Sequence, residues 1–399
     1  MGLAPHRGGG GGARLTPLGE RLVARIRGDG PMTIADYMAA CLGDPQHGYY
    51  MRRDPFGRGG DFITAPEVSQ VFGELIGAWS LATWEAIGAP APLVLAELGP
   101  GRGTLMADIL RTARLRPRFL AAARVHLIEI SPRLRDAQRI QLTRSAERLA
   151  WIDRIEDLPA GPLILIANEF FDALPIRQYV RTPNGWAERM VGVGQDGQLT
   201  FGLRPADRGL GKLWDGDADT GIIGKHGEDG DRHEDERRTA DQRDPVIEVS
   251  PARAGAMAAL AERIRRDGGA ALVIDYGYEG PAYGDTLQAV RQHRHDHPLA
   301  RPGEADLTAH VDFAALAEAA RLAGAAPRTR ISQGEFLYRL GLAERASELA
   351  RGKDAATQAD IEAAVARLAG PTAMGKLFKV LAISSPGLAL PAFDDNLPG

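Results

Sequence analysis

The chain has 399 residues, 44% of them hydrophobic and 25% charged. That is ordinary globular composition, with room for one large domain carrying insertions or for two domains. A net charge of -4 gives no whole-chain case for a nucleic-acid partner or an anionic membrane, and a single cysteine, Cys41, excludes an internal disulfide framework and a Cys-based zinc cluster. There is no run of 18 apolar residues, so membrane insertion through a helix is not expected. The opening stretch, MGLAPHRGGGGGAR, lacks an apolar signal core and reads as a flexible tail. The expected location is the cytoplasm of a bacterium, or the mitochondrial matrix if the source is eukaryotic.

In chain order, LGERLVARIR and TIADYMAACL carry apolar residues at three-and-four spacing and predict two helices. A turn-rich, polar-aromatic segment follows, and then SQVFGELIGAWSLATWEAIG predicts one long helix. From Leu93 strands and helices alternate. APLVLAELG, RVHLIEIS and PLILIANEFF read as strands covered on both faces, with a short strand near ERLAWID between the last two. Alternation of this kind predicts an α/β fold with a parallel sheet. The stretch from about Arg204 to Arg243 is rich in Gly, Asp, Glu and Arg and predicts a flexible insertion. The sheet is then expected to resume with PVIEVSP and AALVIDYGY. DFAALAEAARLAG and the segment Glu335 to Leu368 predict further helices, and KLFKVLAIS a last strand. The expected organisation is a tail over 1–17, a helical N-terminal cap over 18–90 and a core over 91–203. The charged insertion at 204–243 is followed by the second part of the core over 244–325, a helical insertion over 326–376, and the final strand and tail over 377–399.

The first strand runs into Glu97-Leu98-Gly99-Pro100-Gly101-Arg102-Gly103, and a helix follows. A dinucleotide turn spaces its glycines as G-x-G-x-x-G and faces a pyrophosphate. Here the third glycine comes one residue early and Thr104 holds the expected place. Glu97 is awkward beside a phosphate but suits a ligand with a cationic end. S-adenosyl-L-methionine carries an ammonium and a sulfonium and no phosphate, so Glu97, Gly99, Gly101, Gly103 and Thr104 are candidate residues for that cofactor. Glu129, at the end of the second strand, is the candidate ribose acid, a role that a nicotinamide cofactor would share. Asp153 ends the third strand and reads equally as an adenine contact or as a solvated loop acid.

The fourth strand ends Asn168-Glu169-Phe170-Phe171-Asp172. Ligands of open α/β sheets bind beyond the carboxyl ends of strands. Asn168, Glu169 and Asp172 are therefore the candidate catalytic residues, with Glu169 and Asp172 as a carboxylate pair suited to a guanidinium. The competing structural reading is a helix start capped by Asn168, with acids favoured by its dipole. His293, His295 and His297 alternate in RQHRHDHPL, which reads as a polar loop more readily than as a metal site. His310 and Asp312 in LTAHVDF are weaker candidates for the substrate cleft, and Asp312 reads equally as a helix cap.

At this point the sequence resembles the MidA family of class I S-adenosyl-L-methionine-dependent methyltransferases. The matching stretches include ELGPGRGTLMADILR, HLIEISPRLR, ANEFFDALPIRQY, VIDYGY, GEADLTAHVDF and MGKLFKVLAI. The resemblance implies a Rossmann-like methyltransferase sheet and S-adenosyl-L-methionine as cofactor. It also implies that the segment Gly60 to Glu67, with Asp61 and Thr64, folds over that cofactor. For the eukaryotic branch it implies a role in respiratory complex I assembly and a protein substrate, an arginine of the 49 kDa-type subunit, dimethylated symmetrically. A non-catalytic cofactor-binding assembly factor is the alternative, and a nucleotide-dependent oxidoreductase a third reading that Glu97 and the early third glycine disfavour.

Overall fold

The structure, a computed structural model, describes residues 14–52, 64–143, 148–207, 224–225, 245–280 and 282–393. The elements begin with α1 (Pro17–Asp29), β1 (Met32–Thr33), α2 (Ile34–Gly43), α3 (Tyr49–Arg52), α4 (Ala65–Val68) and α5 (Gln70–Ala86). They continue with β2 (Leu93–Leu98), α6 (Thr104–Ala113), α7 (Pro117–Ala122), β3 (Ala123–Ile128), α8 (Pro132–Gln141), β4 (Leu149–Ile152) and β5 (Leu163–Asn168). Three strands follow, β6 (Arg177–Thr182), β7 (Gly185–Val193) and β8 (Leu199–Pro205), then β9 (Gly224–Lys225) and β10 (Val246–Val249). A helix over Pro251–Asp267 leads into β11 (Gly269–Tyr278).

The main sheet is the Rossmann-like α/β sheet. β4, β3, β2, β5 and β11 are neighbours in that order, all parallel. The last strand, Phe378–Ser384, pairs antiparallel with β11. Every residue of β2 and β5 is buried, because helices cover both faces. Phe72, Ile76 and Trp79 of α5 and Met106 and Ile109 of α6 pack on one face. Met257, Leu260 and Ile264 of the Pro251–Asp267 helix and Phe313 and Leu316 of the Phe313–Leu322 helix pack on the other. The chain leaves β2 toward β3 and β4, then returns to β5 on β2's opposite side. The crevice at this reversal is where open α/β sheets place their ligands.

A second sheet was not legible as such in the sequence. β1, β7, β6 and β10 are neighbours in it, with β8 added on β7, all antiparallel. Val246–Val249 therefore does not resume the main sheet as expected. It pairs with β6, Val246 opposite Val180 and Val249 opposite Arg177. β6 and β7 are joined by the two residues Pro183 and Asn184, with Thr182 opposite Gly185, whose φ is 104°. Leu18, Leu22 and Ile26 of α1 and Tyr37, Met38 and Cys41 of α2 bury their faces with Val191 of β7, Leu199 of β8 and Leu307. The first two helices thus share a core with this sheet.

Near the C-terminal end the Gln333–Arg339, Leu342–Ala350 and Ala355–Ala369 helices lie on the α5 side of the main sheet, through Phe336, Leu337, Leu342 and Leu368. Arg345 reaches Glu74 of α5 at 2.8 Å. The N-terminal tail up to residue 13 and nearly all of the charged insertion lie outside the described residues. The histidine run does not form one strand: Gln292 and His293 make a turn with φ of 52° and 59° between Gln288–Arg291 and Arg294–Asp296.

Candidate active site

In the parallel register Glu97 stands opposite Ile166 and Leu98 opposite Ala167. The glycine turn after β2 and the acid turn after β5 therefore leave the sheet side by side. Between them opens a cleft of about 420 Å³, counting its solvent-open space, lined by Glu97, Gly99, Gly101, Thr104, Asn168 and Glu169. Thr64 and Glu67 form its opposite wall. The structure thus brings together most of the residues singled out in the sequence. Asp61 lies outside the described residues.

The turn is built by glycines because its backbone is left-handed. Gly99, Gly101 and Gly103 have φ of 58°, 53° and 83°, a region open to glycine at no steric cost. At Gly99 space is the second reason: a Cβ there would sit 2.9 Å from the Phe170 ring. Gly103 then caps the start of α6.

Glu97 is 3% exposed. Its carboxyl accepts from the Met106 backbone N–H, and its Oε2 is buried without a partner. Burial pushes its pKa up to about 8, and the charge of Asp108 adds to the shift. A buried carboxyl oxygen left open beside a glycine turn is an acceptor for a cationic group, so the residues present fit the amino-acid end of S-adenosyl-L-methionine.

Glu129 does not line this cleft but is wired to it. Its Oε1 accepts from the Ser131 N–H at 2.8 Å. Gln138 of α8 donates to the Gly101 carbonyl at 2.7 Å and to Glu129 Oε2 at 3.4 Å, and accepts from Trp151 Nε1 at 2.8 Å. Burial raises Glu129 to about 7. Asp153 is set apart: it is 68% exposed and paired with Arg135, the arrangement of a solvated loop acid.

Asn168 ends β5 at the cleft and Glu169 follows it. Asn168 Nδ2 donates to Glu169 Oε1 at 3.1 Å, and so does the Ala65 N–H of α4 at 3.2 Å. Asn168 Oδ1 is buried without a partner. Glu169 has a left-handed backbone, φ 52°, a cost that persists only where the surroundings fix it and that clusters at functional sites. Burial, then the like charge of Asp172, pushes Glu169 up to about 7. No helix follows Asn168: residues 169–174 form bends and turns, so the helix-cap reading fails.

Asp172 stands behind Glu169. It is buried, with Oδ1 accepting from the Ala173 N–H at 2.8 Å and the Tyr276 hydroxyl donating to its carboxylate. Asp275 of β11, one residue past the Ile274–Asn168 pair where β5 ends, accepts from the Phe171 and Asp172 N–H groups at 2.9 and 3.1 Å. Sequence reasoning passed over Gln138, Asp275 and Tyr276. Only Asp275 had a signal, its place directly after an apolar run that reads as a strand. Of the weaker candidates, Asp312 caps the Phe313–Leu322 helix through Ala315 N–H at 3.0 Å, and His310 packs edge-on against Tyr276 at 5.4 Å.

Thr104 donates to Glu67 Oε1 at 2.7 Å and so ties α6 to the α4 wall that also holds Glu169. Thr104→Val removes that bond, which is worth about 1 kcal/mol or slightly more. S-adenosyl-homocysteine affinity, measured by titration calorimetry, is expected to fall about five- to tenfold.

The family model described as "Putative S-adenosyl-L-methionine-dependent methyltransferase" matches residues 75–330. The Drosophila melanogaster homolog of the mitochondrial protein arginine methyltransferase NDUFAF7 is 35% identical over 412 residues, 96% of this chain and 87% of the relative. NDUFAF7 of Homo sapiens is 34% identical, across 92% of this chain and 83% of its own. A Burkholderia thailandensis structure bound to S-adenosyl-homocysteine superposes with a TM-score of 0.78 at 29% identity, covering 95% of this chain and 94% of that one. With a glycine turn, an open buried acid and an acid-bearing strand end at the switch point of such a sheet, the chain belongs to the MidA-type family of S-adenosyl-L-methionine-dependent methyltransferases.

Proposed function

We propose that this chain is a protein arginine methyltransferase acting on an arginine of the 49 kDa-type subunit of respiratory complex I during assembly, with symmetric dimethylation as its product. The observation that carries the reading is the pair of carboxyls on the turn after β5, Glu169 part-buried on the cleft and Asp172 buried beyond it. Two acids whose like charges oppose ionisation of each other favour a permanently cationic partner, and a guanidinium is protonated at any ordinary pH. The curated relatives, whose names state arginine methylation, support the same acceptor.

S-adenosyl-L-methionine supplies the electrophilic methyl group. The chain's own part is mostly alignment. Glu169 holds the guanidinium so that one nitrogen points along the cleft toward the glycine turn, an effective-concentration gain of about 7 to 11 kcal/mol at its upper range. Asn168 Oδ1, buried and open, accepts an N–H of the same nitrogen. The Glu169 carboxylate then takes the proton released as the nitrogen is methylated. The reaction is placed in the bacterial cytoplasm, or in the mitochondrial matrix for a eukaryotic source.

The test is mass spectrometry of the 49 kDa-type subunit from cells with and without the gene. Dimethylarginine is expected to disappear on deletion and to return with the wild-type gene but not with Glu169→Gln. Unchanged dimethylarginine in the deletion strain removes this target.

A further inference from the structure

The Pro251–Asp267 helix begins against the acid turn. Its cap residue Ser250 donates to the Pro175 carbonyl at 2.6 Å. Three residues on, Arg253 is buried, 6% exposed, and its guanidinium donates to four main-chain carbonyls. Nε reaches Phe171 O at 2.7 Å, and Nη2 reaches Asp172 O at 3.1 Å. Nη2 also reaches Ala309 O at 2.8 Å, and Nη1 reaches His310 O at 2.7 Å. A buried arginine is usually matched to a carboxylate fork. This one instead ties two backbone segments distant in sequence, and the Ala309 N–H adds a direct bond to Asp172 O at 3.1 Å.

The two segments are also linked through side chains. The first carries Asp172, whose carboxylate accepts from the Tyr276 hydroxyl. The Tyr276 ring meets the edge of His310, and His310 leads back to Arg253 through its carbonyl. We propose that Arg253 is a positioning residue for methyl transfer, a planar clamp that fixes Asp172 and the Tyr276–His310 pair relative to Glu169. The inference rests on the reading of Glu169 and Asp172 as the acceptor's acids. A lysine in its place keeps the charge but offers three donors from one point, too few for four carbonyls on two segments. Glutamine keeps two donors and no charge.

The charge is a separable second contribution. Asp172 is faced by Glu169 on its own turn, Asp275 and Tyr276 on β11, Tyr50 on α3 and Arg253. Arg367, in the Ala355–Ala369 helix, faces Glu169. Burial pushes the Asp172 and Asp275 carboxyls up, and the Arg253 charge pulls both down. Arg253→Gln therefore moves the acidic limb of the cluster to higher pH, and Arg253→Lys leaves it in place.

The test compares the full-length wild type with Arg253→Lys and Arg253→Gln. S-adenosyl-homocysteine affinity is expected to stay within about twofold, since the Arg253 guanidinium bonds to neither Glu97 nor the glycine turn. Hydrogen exchange at the Phe171, Asp172 and Ala309 amides is expected to quicken about tenfold or more in both variants. Single-turnover methylation of the 49 kDa-type subunit is expected to slow about tenfold in Arg253→Lys with KM nearly unchanged. In Arg253→Gln the carboxyl titration, followed by difference infrared spectroscopy, is expected to move to higher pH. Methylation within twofold of wild type despite faster exchange, or an unmoved titration in Arg253→Gln, overturns the proposal. If the wild type leaves the subunit unmodified, the function reading fails, while unchanged exchange or titration still sinks the clamp.

Discussion

Glu169→Gln is expected to lower methyl transfer to the acceptor arginine about a thousandfold, with S-adenosyl-homocysteine affinity changed by no more than a few-fold. The amide is isosteric, and its oxygen still accepts from the Ala65 and Asn168 groups that hold the side chain, so the cleft keeps its shape. The charge that pairs with a guanidinium and the base that takes its proton are both lost. General-base contributions are typically ~10²–10⁴-fold, and a bidentate charge pair adds alignment. Asp172→Asn is expected to cost less, about 10- to 100-fold, because Asp172 stands behind the cleft with its carboxyl already engaged. The pH dependence separates binding from base chemistry. Glu169 is pushed up to about 7 in the free protein, so at saturating cofactor kcat/KM rises with pH to a plateau above about 7. In the Gln variant that limb disappears. Methylation within tenfold of wild type, or an unchanged limb, removes Glu169 from the chemistry.

What the sequence showed depended on how local the signal was. Strands β2 and β5 were legible because strands covered on both faces are continuous apolar runs, and the glycine turn because left-handed backbone leaves glycine at alternate positions. Glu97 was legible for the same reason, since an acid two residues before a glycine turn has few structural uses. The relation between Glu169 and Asp172 was not. Their spacing suggests one helical face, yet residues 169–174 turn without forming a helix, and the left-handed backbone at Glu169 puts one acid on the cleft and the other behind it. Gln138, Asp275 and Arg253 come from far along the chain, Arg253 from 82 residues beyond the carbonyl it grips, and no local pattern marks such partners. Val246–Val249 was misplaced because a short apolar run carries no information about which sheet receives it.

Glu97→Gln is expected to weaken S-adenosyl-homocysteine binding about 10- to 100-fold at pH 8, the worth of a hydrogen bond between charged groups at roughly 1.5–3 kcal/mol. The pH dependence is the sharper signature. In the free protein burial pushes Glu97 up to about 8, so at neutral pH it is mostly protonated. An ammonium placed beside Oε2 favours the carboxylate, so binding expels a proton. Calorimetry near pH 7 in buffers of different ionisation enthalpy is expected to show release of close to one proton in the wild type and almost none in the variant. Wild-type affinity is expected to rise with pH between about 6 and 7.5, steeply at first, while the ligand's ammonium stays charged. The same shifts fix the sign of the free protein's stability profile. Glu97, Glu129 and Glu169 all hold protons more tightly folded than unfolded, so the stability they lend is full below about pH 4.5 and is lost as pH rises toward about 7 to 8. The ligand offsets that loss most at the alkaline end, so the rise in Tm on adding S-adenosyl-homocysteine grows with pH in the wild type and stays nearly flat in Glu97→Gln. Equal proton release from wild type and variant would place the ammonium elsewhere and leave the buried Glu97 oxygen without a ligand.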